Sequence, residues 1–426
     1  MLIFCFLVMM IDSFDSFSIA YVAPSIIGEW HVPRVAFTAV FTANVAGLAL
    51  GAILLGMTAD RFGNKLVLVV SLVAFGVLTY AKTLVGSVGA LALLQFLAAL
   101  PVGGAYPIAL SIVAETTPLR RRAAMLVITS LGFTLGATLA GFIAAPVIGN
   151  LGWRWMFYIG AVLPFVLAAA AWAFVPDSLQ RLAQHGAVRE RIVAAIARIA
   201  PSVRIAPDAE LSVPPSKSSA PVTELFADGR AAMTVTLWVG FIAAFMVYYF
   251  LFSWLPILLN AAGMSIKLSV LGGAIYPAGG FIGGLLFAYL STRKPVAAIT
   301  CALFVVSTLS IILIGFIDAS LVIPALFLVG FGSVGGILAS NALVSLVYPA
   351  EIRSTGIGWA LGLGRFGSML GPVLGGVMLA QKLPLGTMCF VMAVPALISA
   401  AAFFLVGRLN GAVSTLTLNR PKTSYT

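Results

Sequence analysis

The residues with the most chemistry to offer lie where a membrane-crossing run should least tolerate them. In "MMIDSFDSFSIAYVAPSI", residues 9 to 26, Asp12 and Asp15 interrupt a stretch that is otherwise apolar and long enough to span a bilayer. On a helix the spacing of three puts them about 60° apart, with Ser16 and Ile19 on the same face. An ionised carboxylate turned toward lipid is costly, so this face is expected to look into the protein. An acid that is neutral when occluded and charged when wetted is what proton coupling requires. The alternative is a purely local role in which one of the two caps or pairs, a reading that suits Asp12 better than Asp15.

A basic counterpart stands far along the chain. In "GLGRFGSMLGP", Arg365 is the one basic residue placed deep in a span, among small neighbours that let other helices approach. Its guanidinium can grip a carboxylate with two parallel hydrogen bonds, which suits anchoring of an anionic substrate. The alternative is a structural partner for an acid or for helix-end carbonyls. The same stretch spells G-x-G-x-x-G, but no strand precedes it and no βαβ unit surrounds it, so a dinucleotide site is not expected. Tyr106, Tyr276 and Trp254, with Tyr21, Tyr248 and Tyr249, are placed where rings and hydroxyls could meet an aromatic carboxylate or merely pack.

The elements that position these residues follow from hydropathy. The 426 residues are 61% hydrophobic and 9% charged, with a mean hydropathy of +1.11, which excludes a soluble fold. Twelve spans of about 20 residues or more are placed near 2–27, 36–57, 66–84, 87–114, 123–146, 154–175, 231–259, 268–290, 296–317, 320–348, 354–379 and 385–407. The reading is an all-α membrane protein built as an N-terminal six-helix bundle (1–176), a cytoplasmic linker (177–230), a C-terminal six-helix bundle (231–407) and a cytoplasmic tail (408–426). "MLIFCFLVMM" has neither the basic stretch nor the cleavage site of a signal peptide, so it reads as a retained first helix whose cytoplasmic tail is short or missing.

The formal charge of +11 follows the connections and implies topology, not nucleic acid. Of 24 Lys and Arg, Arg34, Lys82, Arg154, Lys267 and Lys382 fall in the connections on one side and Arg365 within a span; the other 18 lie on the opposite side. That asymmetry puts both termini and the long linker in the cytoplasm of a cell whose inner, or plasma, membrane holds the chain. Cys5, Cys301 and Cys389 are scattered, and His31 and His185 stand alone in connections, so no metal site, disulfide framework or cofactor is expected. G-x-S-x-G, H-E-x-x-H and P-loop motifs are absent, so the sequence supports neither catalysis nor ATP hydrolysis.

The halves repeat. An offset of 231 carries Gly104 onto Gly335, Pro118 onto Pro349, Arg122 onto Arg353 and Gly136 onto Gly367. Duplicated six-helix units are the plan of transporters whose site lies at midplane between two halves. The connection "GMTADRFGNK" (56–65) fits the G-x-x-x-D-R-x-G-[RK]-[RK] signature of the major facilitator superfamily except at Asn64. Gly56 and Gly63 would permit a tight turn and close approach, Asp60 a cap or helix-end pair, and Arg61 and Lys65 would hold this inner gate at the cytoplasm. The same offset maps Asp60 and Arg61 onto Ser291 and Thr292, so the second copy reads as eroded.

"IDSFDSFSIAYVAPSI", "GAYPIALSIVAETTPLRRRA", "LGWRWMFYIGAVLPFVL", "YYFLFSWLPILL" and "YPAEIRSTGIGWALGLGRFGSMLGPVLGG" resemble the aromatic acid:H⁺ symporter family within that superfamily. The likeness runs over nearly the whole chain, with Ser13 in place of a usual Gly. It implies twelve helices, small organic acids and protons as partners in a lipid membrane, and a substrate-facing role or an interhelical bond for Asn341. Two departures stand out: Gln95 replaces an Arg usual in helix 4, and Ala137 follows Gly136 where drug antiporters carry Pro. The resulting expectation is a monomeric importer of a small organic anion, an aromatic acid above others, driven by protons through alternating access. Porters of another carboxylate or a neutral metabolite, and a sensor or decayed transporter that keeps the fold, are the alternatives.

Overall fold

The computed structural model describes residues 1–117, 119–175, 221–317, 319–349 and 352–418. Among them run twelve helices: α1 (Leu2–Trp30), α2 (Phe37–Phe62), α3 (Asn64–Ala81), α4 (Val88–Thr116), α5 (Leu119–Leu151), α6 (Arg154–Phe174), α7 (Ala231–Ala261), α8 (Ile266–Leu290), α9 (Val296–Ile314), α10 (Ala319–Val347), α11 (Arg353–Ala380) and α12 (Leu385–Leu418). All twelve are long and apolar enough to cross a membrane. In a bilayer core nothing outside the chain satisfies backbone N–H and C=O groups, so such runs close their hydrogen bonds internally as helices.

The chain divides into two compact units, Met1–Lys217 and Ser218–Thr426. Within the first, α1 packs on α5, α2 on α4 and α3 on α6; within the second, α7 packs on α11, α8 on α10 and α9 on α12. First against fifth, second against fourth and third against sixth is the same order in both. The core of the first unit gathers Met9, Leu72, Phe75, Ala105 and Leu167; that of the second gathers Phe241, Phe304, Leu343 and Phe403. Glycine makes the closest seams. A Cβ on Gly136 would run into the Met10 carbonyl of α1, and one on Gly367 into the Ile242 carbonyl of α7.

These paired contacts correct the register of the repeat. Gly136 and Gly367 differ by 231, but the carbonyls they approach, Met10 and Ile242, differ by 232. The second seam agrees: Gly47 and Gly51 lie against the Phe96 and Leu100 carbonyls, as Gly279 and Gly283 lie against those of Phe327 and Phe331. Thus α4 and α5 follow the offset of 231, while α1 and α2 follow 232, because the second half has one residue fewer between its second and fourth helices. Asp60 and Arg61 therefore match Thr292 and Arg293, not Ser291 and Thr292. The second copy of the signature loses its acid and keeps its arginine.

Little of the linker falls among the described residues. Its last part does: a 3₁₀ turn at Val222–Phe226 leads to α7, with Leu225 fully buried and its carbonyl accepting a 2.8 Å hydrogen bond from Thr234. Arg230 pairs with Asp228 at 3.1 Å and donates to the Glu224 carbonyl. The helical backbone of α12 continues past residue 407 to Leu418, with its apolar span ending at Asn410.

Candidate functional site

The acids of α1 are both buried, Asp12 at 7% and Asp15 at 4% exposure. Ser16 and Ile19 are buried with them, so this face looks into the first unit, as the cost of facing lipid requires. Their surroundings differ. The Asp15 carboxylate meets the Lys82 Nζ at 2.9 Å through one oxygen and accepts from the Thr79 hydroxyl at 3.4 Å through the other. Across from it Gly160 of α6 leaves room, since a Cβ there would lie 3.4 Å from the same carboxylate. Asp12 instead borders a small, partly open recess of about 10 Å³, room for about one water. Val8 and Ile11 of α1, Ser71, Leu72 and Phe75 of α3, and Pro101, Val102 and Ala105 of α4 line the rest of it.

Lys82 is the buried partner of the site that sequence reasoning missed. It was counted among the charges of an outer connection, yet it is completely buried, with its ammonium 5.5 Å from the centre of the Phe157 ring. The reason is local. Helix α3 ends at Ala81, and Lys82 opens a 3₁₀ turn, Lys82–Leu84, that keeps the chain close to the helix it leaves. Its side chain then runs inward beside Thr79, one turn earlier. A signal was present in "LTYAKTLVGS": a lone Lys in a connection too short to lift it far from the membrane. Asp15 thus has a local partner in Lys82.

Gln95 does not stand in for a missing cation. Buried in α4, it donates to the Asn44 carbonyl-type oxygen of α2 at 3.1 Å, while its own Oε1 has no partner among the described residues. Tyr21 likewise serves packing, its hydroxyl donating to the Ala137 carbonyl of α5 at 3.0 Å. At the far end of α1, Glu29 accepts from the Trp153 indole at 2.6 Å and pairs with Arg154 at 2.9 Å.

In the second unit, Arg365 is half-buried near the middle of α11 and has no ion pair or hydrogen bond among the described residues. Three and seven residues before it on the same helix face, Gly362 and Gly358 have open space where a side chain would project. The opposite, buried face of α11 carries Gly364, Gly367 and Gly371 against α7. A cation with free donors beside open space can receive an anion. Asn341 of α10 is exposed and has no hydrogen bond among the described residues. Tyr276 and Trp254 are engaged: the Tyr276 hydroxyl accepts from Ser333 at 3.1 Å, and the fully buried Trp254 donates to the Pro372 carbonyl at 3.0 Å. A substrate using the Trp254 N–H would have to displace that bond, whereas the Tyr276 O–H keeps a proton to donate. Tyr106 is half-buried, edge-on to Phe133 at 6.5 Å.

In the 56–65 connection, Gly63 takes a φ of 91° at the junction of α2 and α3, a conformation that costs glycine little. Gly56 has open space where a Cβ would sit, so no close approach explains it. Arg61 is exposed over the Phe62 ring, and Lys65 reaches to 5.6 Å from the Trp172 ring of α6. Asn64, the mismatch in the signature, donates to Ser111 of α4 at 3.2 Å. The Asp60 side chain lies outside the described residues. No cluster of three metal-ligating side chains occurs among the described residues.

Relatives agree with this architecture. The chain is 31% identical to a gallate transporter of Pseudomonas putida, over 95% of this chain and 91% of that one. It is 29% identical to the 4-hydroxybenzoate transporter PcaK of Acinetobacter baylyi, over 94% and 89%. A crystal structure of a bacterial homolog of the human lysosomal transporter Spinster superposes with a TM-score of 0.70 over 97% of both chains at 17% identity, which speaks for the fold alone. The Major Facilitator Superfamily profile matches residues 5–372, from the start of α1 well into α11. Twelve helices folded as two matching units, the sequence signature between α2 and α3, and a family match across both units make this chain a member of the Major Facilitator Superfamily, a family of transporters and not of enzymes.

Proposed function

We propose that this transporter imports a small organic anion, specifically an aromatic acid, by proton symport with alternating access. The near full-length likeness to a gallate transporter carries the substrate class. Arg365, a half-buried cation without an acid partner among the described residues, supplies a two-pronged anchor for a carboxylate, and Asn341 an additional donor. Of the aromatic candidates, the half-buried Tyr106 of the first unit offers ring surface, whereas Tyr276 and Trp254 of the second are buried and would meet a substrate only if the side chains around them moved. Asp12 and Asp15 are the coupling acids, buried in the first helix, where ionisable residues mark proton paths. Gly56, Asp60, Arg61, Gly63 and Lys65 form the cytoplasmic gate. The Lys and Arg asymmetry supports an inner-membrane orientation with both termini in the cytoplasm, and it strengthens once Lys82 is removed from the outer side. A monomer suffices for this mechanism.

The test is uptake in proteoliposomes over a panel of aromatic and aliphatic acids. An inward proton gradient should drive accumulation of gallate or 4-hydroxybenzoate, and a protonophore should abolish it. Accumulation indifferent to the protonophore would reject symport. Counterflow that favours aliphatic acids would reject the substrate class.

A further inference from the structure

Lysine is almost never fully buried unless it is paired, and Lys82 has no exposed surface at all. Its ammonium sits 2.9 Å from Asp15 and against the Phe157 ring, while Thr79 and Gly160 close in on the same carboxylate. Desolvating two ions generally cancels what their attraction returns, so a pair of apolar side chains would hold these helices at least as firmly. The pair is therefore a poor device for stability alone and a good one for fixing position. It ties the middle of α1 to the end of α3, next to α6, and to no other arrangement. Asp12, one turn earlier, borders open space that also meets the Ser71 position of α3. A carboxyl that exchanges a proton needs water-sized room beside it, and here the recess lies at Asp12.

We propose that Lys82 is a positioning residue of the transport machinery: it is the resident counter-charge of Asp15, so that Asp15 sets the placement of α1 and Asp12 is the acid that takes up and releases the proton. This division rests on the symport reading above and narrows its two coupling acids to one proton carrier, Asp12, with Asp15 placing it. The proton would join an Asp12 carboxylate oxygen on one side of the membrane and leave from it on the other, with the Asp15–Lys82 pair unchanged in net charge throughout.

The experiment separates proton-independent exchange from gradient-driven accumulation, using purified protein in proteoliposomes and 4-hydroxybenzoate as the probe. Lys82→Met and Asp15→Asn each strand one buried charge, so each should lower thermal stability and reduce counterflow by about tenfold or more. The double variant Asp15→Asn/Lys82→Met should recover stability, counterflow and accumulation together, with Asp15→Ser/Lys82→Leu as a second neutral pair in case the first folds poorly. Asp12→Asn should lose accumulation while counterflow falls far less. If Asp12→Asn lowers counterflow and accumulation in step, Asp12 is not the proton site and the proposal fails. A folded double variant that exchanges substrate but cannot accumulate it would make Asp15 the proton carrier and overturn the proposal, as would a Lys82→Met protein that transports like the native one. If native accumulation ignores a protonophore, the symport reading fails; counterflow then decides the positioning role by itself, through loss in the single variants and recovery in the double.

Discussion

The two units share a packing order and differ in what they bury. In the corrected register, Asp12 and Asp15 of α1 correspond to Ala244 and Val247 of α7, and Lys82 to Leu313 or Ile314 at the end of α9. The interior that holds an ion pair in the first unit is hydrocarbon in the second. Conversely, Arg365 of α11 corresponds to Thr134 of α5. The backbone contacts tolerated no such drift: the glycine-to-carbonyl seams persist in both units because any side chain there would collide with main chain. Duplication conserved the geometry that lets helices touch and released the chemistry that fills them. Under the proposed symport, the coupling charge belongs to the first unit and the substrate charge to the second.

The largest expected effect is on stability at the ion pair, where the units differ most. Lys82→Met leaves the Asp15 carboxylate stranded and should cost about 3–5 kcal/mol, whereas Ile314→Met exchanges one buried apolar side chain for another and should cost less than about 1.5 kcal/mol. Thermal melts in detergent read the contrast, and equal melting shifts would show that burial of the pair does not matter. Next comes Arg365. Replacing it with Ala should weaken aromatic-acid binding by about 2–5 kcal/mol, with an intermediate loss for Arg365→Lys because the two-pronged geometry goes. Thr134→Ala at the corresponding position should leave affinity unchanged. Binding measured by scintillation proximity or calorimetry decides; full affinity in a folded Arg365→Ala protein would assign the guanidinium a structural role.

A third comparison should show sameness. Gly136→Ala and Gly367→Ala each drive a methyl into a backbone carbonyl, so both should destabilise by about 1–3 kcal/mol or more, to a similar extent. A marked inequality would mean that one seam yields more readily than the static contacts imply.

These contrasts also mark where the sequence was legible. The twelve helices follow from hydropathy because a bilayer leaves an apolar run no other way to satisfy its backbone. The turn at Gly63 could be read because a positive φ selects glycine. That α1 buries its acids follows from the cost of charge in lipid. What could not be read is which side chain answers them. Lys82 stands 67 residues from Asp15, and its inward course depends on how α3 ends and packs on α6, which no local pattern records. A fixed offset also hid the one-residue slip between α2 and α4, since either register aligns an apolar helix with another.

The smallest effect concerns the seam between second and fourth helices, where both units hold a buried neutral hydrogen bond. In the first unit Gln95 donates to Asn44 at 3.1 Å, and in the second Ser333 donates to Tyr276 at 3.1 Å. Asn44 and Tyr276 occupy corresponding positions at the offset of 232 that governs α2 and α8. Interhelical bonds of this kind in membranes are worth about 0.6 kcal/mol on average and about 1.7 at most. Gln95→Leu and Ser333→Ala should therefore each shift stability by roughly that much, within the same range. Gln95→Leu also removes an oxygen that has no partner among the described residues, which offsets part of the loss. Because Gln95 bonds to α2 and not to the acids of α1, its replacement should leave the dependence of uptake on external pH superimposable on that of the native protein. A displaced profile in folded Gln95→Leu would tie the α2–α4 seam to proton coupling and extend the coupling machinery beyond α1 and α3.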